Sequence, residues 1–321
     1  MIAEVSVSPD RSWTEEQTRW CDYYVRRLQE QLAWATTYAR QPAKSAAHCD
    51  SLLTLLGHAR SWPRLYAQAA ELVAALGAWP ARWGYWDTWE EMLRFALAVT
   101  DSKQDAARYF SLLVELAFLL LDTGRLEQAL DLGMQVVAQN SEACAPTPLA
   151  QAVALVVQIL MRQGKMADAQ HVLEQVEQRL GQSTDARGGW VYLCVARATF
   201  LRRQGNLQEA LTWADRAVAA AGASSNDDLH LSGDVCHFRG VMRWAWGEYA
   251  LAAADLNQAA VLYANSGDHY AEAHVQGNLG LVYWSLGELD QAESLFRQMI
   301  ATAEQQGARW QMAVATGNLG L

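Results

Sequence analysis

One six-residue phrase, a Gly followed five residues later by an Ala, recurs along the chain at nearly constant spacing. It reads GRLEQA from Gly124, GKMADA from Gly164, GNLQEA from Gly205, GEYALA from Gly247 and GELDQA from Gly287. The intervals are 40, 41, 42 and 40 residues. A step of 40 backwards reaches Gly84 in GYWDTW, where Trp89 replaces the Ala. A step of 40 forwards carries GNLGL at Gly277 onto GNLGL at Gly317. A period of this length marks a stacked repeat array, in which each unit buries its apolar face only against its neighbours.

Each rung reads as the turn of a helical hairpin. The Gly closes the first helix because it enters the left-handed region without a Cβ penalty, and the polar residues after it open the second. The Ala lies inside the second helix. Seven residues before each turn glycine stands another small or modest residue: Gly77, Ala117, Val157, Ala198, Gly240 or Gly280. These are expected in the first helix, facing the Ala and letting the two helices approach. Larger residues such as Leu279, Tyr283, Phe296 and Met299 then fill the layer between hairpins. With 51% of the chain apolar and only six prolines, composition agrees with helix throughout. The expected fold is all-α: a right-handed α-solenoid of antiparallel helix hairpins with 40–42-residue repeats.

The spacing within the rungs resembles the tetratricopeptide repeat (TPR). Leu279-Gly280, Tyr283, Gly287, Ala292 and Phe296 fall where that family's signature puts them. Arg239 and Arg197 depart from it, standing where Leu is usual, and Gly133 and Ala214 replace the large residue of the second helix. The family's repeat is about 34 residues, so each unit here must be longer in its second helix or the following loop. Residues 264–268 and 222–227 are the expected extra length. The resemblance covers residues 63–321, with turn glycines at 84, 124, 164, 205, 247 and 287 and a half-repeat at the end. Leu321 falls inside a first helix, from which a longer protein is expected.

Residues 1–62 lack the Gly-to-Ala phrase and read as an N-terminal helical cap or degenerate repeats. One amphipathic helix is expected over 12–40, with Trp13, Trp20, Tyr24, Leu28 and Leu32 at helical spacing, and a second over 45–57. The order TRWCDYYVRRLQEQL, HCDSLLTLLGHA and WGYWDTWEEMLRFALA is similar to the C-terminal sensor region of bacterial STAND-type signalling ATPases and transcriptional regulators. That resemblance implies a superhelix that receives a protein segment or a small-molecule inducer, while a separate upstream nucleotide-binding module binds ATP and oligomerises. The module is not in this sequence, since none of the three lysines, Lys44, Lys103 and Lys165, follows the GxxxxG of a phosphate loop.

The charge of −10 makes direct nucleic-acid binding a poor expectation, because phosphates need clustered cations. The longest apolar run, around 112–121, is broken by Glu115 and too short to span a bilayer, so no membrane partner is expected. The N-terminus lacks the order of a signal peptide. The five cysteines (Cys21, Cys49, Cys144, Cys194 and Cys236) form no CxxC pair. The expectation is a cytoplasmic protein with reduced thiols.

No catalytic constellation stands out. His269 and His274 are five residues apart, which turns them away from each other on a helix, and there is no HExxH or GxSxG. The chain is expected to be no enzyme and to carry no cofactor or metal. Trp79, Trp83, Trp86 and Trp89 crowd one hairpin, either as core or as a ligand cage.

Functional expectation falls on the inward-facing positions of the first helices, counted back from each turn glycine. They are His274, Asn278, Leu281 and Trp284, then Asp234, His237, Val241 and Trp244. In earlier repeats they are Tyr192, Thr199, Arg202 and Arg203, and Gln158, Met161 and Arg162. Polar donors beside aromatics suit a peptide or small molecule. Asn278 is the strongest single candidate, since TPR grooves use Asn there to clamp peptides. GNLG supplies a second, Asn318. The competing reading is a stand-alone adaptor that joins two proteins.

Overall fold

A computed structural model describes residues 14–38, 48–82, 84–139, 145–180, 187–222, 229–306 and 309–320. The described elements are all helical. The chain divides into two compact units, one ending at Arg125 and the other beginning at Leu126.

The first unit contains α1 (Glu15–Tyr38), α2 (Cys49–Ala59), a 3-10 turn (Pro63–Leu65), α3 (Tyr66–Leu76), α4 (Trp79–Arg82), α5 (Trp86–Val99) and α6 (Ala106–Asp122). Helix α1 lies along α3 and buries Cys21, Leu28 and Ala35, one residue in seven, so its contact stripe is narrow. Trp20, expected in that stripe, is 50% exposed; Trp13 lies outside the described residues. Helix α2 continues two residues past Gly57. Gly77 is not inside a first helix: it caps α3 at φ 56, and the chain turns again at Gly84, at φ 85.

The second unit contains α7 (Leu126–Val137) and four hairpins. These are α8 (Pro146–Arg162) with α9 (Met166–Leu180), α10 (Arg187–Arg203) with α11 (Leu207–Gly222), α12 (Leu229–Trp246) with α13 (Tyr249–Ser266), and α14 (His269–Leu286) with α15 (Leu289–Gln306). Helix α16 (Arg309–Leu319) packs on α15. The four turn glycines, Gly164, Gly205, Gly247 and Gly287, take φ between 76 and 88. The residue after each donates its N–H to the carbonyl five residues back, as Glu288 does to Tyr283 at 2.9 Å. That bond satisfies a carbonyl the ended helix leaves open.

The extra length of the repeat lies in the helices. In α12–α15 each helix has 18 residues, and the turns Gly247-Glu248, Gly267-Asp268 and Gly287-Glu288 have two. Two helices and two such turns make the 40-residue period. Residues 264–266, expected to supply extra length in the second helix or the following loop, are therefore the last turn of α13, which ends at Gly267 in the left-handed conformation. Residues 223–227 lie outside the described residues.

Two hairpins close differently from expectation. In α12–α13 and α14–α15 the glycine of the first helix faces a large residue of the second, not the small Ala. A Cβ on Gly240 would stand 2.8 Å from Leu256 Cγ, and one on Gly280 2.5 Å from Phe296 Cε1. Leu256 and Phe296 lie one turn beyond Ala252 and Ala292, which are also buried. The glycine thus makes the hole into which the large side chain packs.

Candidate functional site

In the second unit the four first helices each carry one stripe of half-exposed and exposed residues. On α8 it passes through Gln158 and Arg162, and on α10 through Tyr192, Thr199 and Arg202. On α12 it passes through Asp234, His237, Val241 and Trp244, and on α14 through His274, Asn278, Leu281 and Trp284. Steps of three and four place each set on one helix face. The opposite faces carry the core, with Val156, Leu193, Val235 and Val275 buried.

Two hydrogen bonds join α12 to α14, each across 41 positions. Asn278 Nδ2 lies 2.6 Å from His237 Nε2, and Trp244 Nε1 donates to Ser285 Oγ at 2.9 Å. Ser285 Oγ donates in turn to the Leu281 carbonyl. His237 and His274 meet edge to face with ring centroids 5.2 Å apart. For Asn278 to donate, the His237 ring must be neutral with its proton on Nδ1. Burial agrees: it pulls His237 down to about 4, helped by the neighbouring His274 and opposed by Asp234. Burial also lowers His274.

A second polar knot lies one turn nearer the start of α12. Asp234 accepts from Tyr263 Oη at 2.6 Å and faces His230 Nδ1 at 3.2 Å. His230 Nε2 lies 3.0 Å from Asp268, which caps α14 by accepting from the Ala271 N–H. A third lies on the face turned towards α11 and α13. Buried Asp255 accepts from Arg239 Nε and Nη2 and from Arg243 Nη1, at 2.6–2.9 Å, and Asp215 accepts from Arg239 Nη1. Here Arg239, at the usual Leu position, is accommodated by two carboxylates. Sequence reasoning missed these bonds, although the 41-residue interval between His237 and Asn278 follows from the period.

The predicted residues are thus partly assembled. His237, His274 and Asn278 form one cluster, Trp244 is tied through Ser285 beside it, and Trp284 is 43% exposed on the same helix as Asn278. Asp234 is engaged by Tyr263 and His230. Gln158 and Arg162 on α8, with Tyr192 and Arg202 on α10, occupy the same stripe of their own helices without joining that cluster.

Other candidates resolve into packing. Trp89 is fully buried and Trp86 is 39% exposed, so these two do not face a common cavity; Trp83 lies outside the described residues. Cys21, Cys49, Cys194 and Cys236 are buried. Burial pushes their thiols up, Cys49 to about 11 and Cys194 to about 12, which makes them poor nucleophiles. Cys144 and the His269 side chain lie outside the described residues. Among the described residues no group of three His, Cys, Asp or Glu is placed to hold a metal ion, and no helix is long and apolar enough to cross a membrane.

Comparison with known proteins agrees with this architecture. A family model described as tetratricopeptide repeat matches residues 237–305, the segment that contains the His237–Asn278 cluster. No curated protein sequence matches the chain significantly. Among solved structures, a signal transduction ATPase with numerous domains (STAND) with a tetratricopeptide repeat sensor, from Pyrococcus horikoshii, aligns with a TM-score of 0.58 at 12% identity. The alignment covers 85% of this chain and 42% of that one, so the present sequence matches less than half of the ATPase. A Rap protein complexed with competence and sporulation factor aligns with a TM-score of 0.57 at 11% identity, covering 90% of this chain and 80% of that one. BtubC from P. vanneervenii aligns at 0.50 and 16% identity, covering 71% and 91%. At these identities the likeness is one of fold.

Proposed function

We propose that this chain is a non-catalytic receiving arm whose second unit binds a protein segment or small-molecule inducer along the half-exposed faces of α8, α10, α12 and α14. The observation that carries the proposal is the state of Asn278. One amide N–H is fixed by His237, which orients the group, while Oδ1 and the second N–H have no protein partner among the described residues. An amide held in this way presents one acceptor and one donor, the pair a peptide backbone or a polar small molecule can satisfy. Exposed Trp284, six residues further along the same helix, is proposed as an apolar anchor.

The arm is proposed to work as the sensor of a STAND-type signalling ATPase or regulator. Supporting this is the alignment of 85% of the chain with a STAND protein that has a tetratricopeptide repeat sensor. Occupancy of the face would alter how the arm packs on a nucleotide-binding module encoded upstream. Two experiments test this. The full reading frame should encode a phosphate-loop domain ahead of this segment; a frame without one leaves a binding adaptor. Parent and Asn278→Ala/Trp284→Ala proteins should then be used side by side as bait in extract of the native host. Recovered proteins and metabolites should be lost from the variant while its helical melt stays nearly unchanged; equal recovery refutes the site.

A further inference from the structure

We infer that the α8–α10 end of this face receives an acidic protein segment, through Arg162, Arg202 and Arg203. The inference rests on the groove reading above and adds the chemistry of the occupant.

Its basis is how the arginines of the second unit are partnered. Arg179 donates to the carbonyls of Val137 and Gln139, and Arg197 faces Glu177 at 3.6 Å. Arg216 lies over the Trp213 ring, Arg239 and Arg243 hold Asp255, and Arg297 pairs with Glu293. Arg162, Arg202 and Arg203 are exposed and have no ion pair, hydrogen bond or ring partner among the described residues. These three are not scattered. They occupy the last turns of consecutive first helices, two or three residues before turn glycines Gly164 and Gly205. Lys165, just past Gly164, is exposed and unpartnered too.

Helices α8 and α10 run side by side. A Cβ on Gly189 of α10 would stand 2.6 Å from the Pro146 carbonyl oxygen at the start of α8, so the two approach closely. Arg162 and Arg203 hold equivalent places, two residues before their turns, and so are neighbours across a helix spacing of about 8–10 Å. Carboxylates three positions apart in an extended segment are separated by about 10 Å. Residues 146–222 carry eight Lys and Arg against six Asp and Glu, a local excess of positive charge in a chain of net charge −10.

Attraction of cations to a helix C-terminus does not account for this arrangement. On the same face α12 and α14 end in Trp244 and Trp284, and Arg243 of α12 is turned towards α11 and α13, where it is bound to Asp255. The face therefore runs from a basic end on α8 and α10 to an aromatic and amide end on α12 and α14. That asymmetry selects a segment with carboxylates at one end. A nucleic acid, with its unbroken row of phosphates, would need cations along the whole face.

The test is fluorescence anisotropy with a labelled hexaglutamate peptide at low salt, on the whole chain. Hexaglutamate should bind and be displaced by added salt, and a hexaglutamine peptide should not bind. Arg162→Gln/Arg202→Gln/Arg203→Gln should weaken hexaglutamate about tenfold or more, whereas Arg297→Gln should leave it unchanged. Equal binding by the triple variant, binding of hexaglutamine as tight as hexaglutamate, or tighter binding of a six-residue oligonucleotide would each overturn the inference. If charge is irrelevant here but host partners are still lost with Asn278→Ala/Trp284→Ala, the groove reading stands and only the acidic occupant fails.

Discussion

Asn278 on α14 hydrogen-bonds His237 on α12 across 2.6 Å, so the first helices of consecutive hairpins are joined by a polar pair as well as by apolar packing. Such a pair contributes about 0.5–1.5 kcal/mol net. A double-mutant cycle of His237→Ala and Asn278→Ala, read by urea unfolding, should return a coupling of that size. Additive single effects would show that the bond does not contribute.

Stability should fall on mild acidification. His237 and His274 are held neutral in the fold, His237 at about 4, whereas an unfolded histidine titrates near 6.5. The unfolded state therefore takes up protons that the folded state refuses. The contribution of the pair is fully present above about pH 6.5 and is lost as pH falls towards about 4. A parent protein losing on the order of 2 kcal/mol over that window, and a His237→Gln/His274→Gln variant losing clearly less, is the expected outcome of melts at a series of pH values. Identical pH profiles would contradict it.

Two glycines inside helices should respond oppositely to the same substitution. Gly280→Ala places a methyl against the Phe296 ring and should cost about 1–3 kcal/mol. Gly57→Ala meets nothing within 4 Å and should stabilise by about 0.5–1 kcal/mol through helix propensity. Thermal unfolding of the two variants measures both.

Asp255 is 3% exposed and holds two guanidinium groups. Asp255→Ala removes their buried partner and leaves them the more exposed Asp215, so it should cost about 1.5–3 kcal/mol. Adding Arg239→Leu, the residue usual at that repeat position, should recover part of the loss. No recovery would mean that the cost lies in packing around Asp255 and not in the lost ion pairs.

The hairpin order was legible because turn glycines and apolar period are local signals. Gly247 and Gly287 mark left-handed helix ends in the sequence as they do in the fold. Whether the extra length of the repeat lies in helix or loop was not legible, because Ala264, Asn265 and Ser266 have turn-like composition. They stay helical because Gly267 alone ends the helix and Tyr263 and Ser266 are buried. The facing of Gly280 and Phe296 depends on the offset between two antiparallel helices, which no single-helix pattern contains. For the site, the face of each first helix could be counted from its turn. The pairing of His237 with Asn278, Trp244 with Ser285 and Arg239 with Asp255 depends on how neighbouring repeats lie against each other, and so emerged only in three dimensions.

The most direct test of the central claim is site-specific photo-crosslinking to a partner captured from the native host. p-Benzoylphenylalanine would replace Val241 or Leu281 on the first-helix face, and Leu251 or Val261, which are 49% and 60% exposed on α13, as controls. The account predicts adducts from positions 241 and 281 and none from 251 and 261. Adducts confined to 251 and 261 would place the binding surface on the second helices and contradict it.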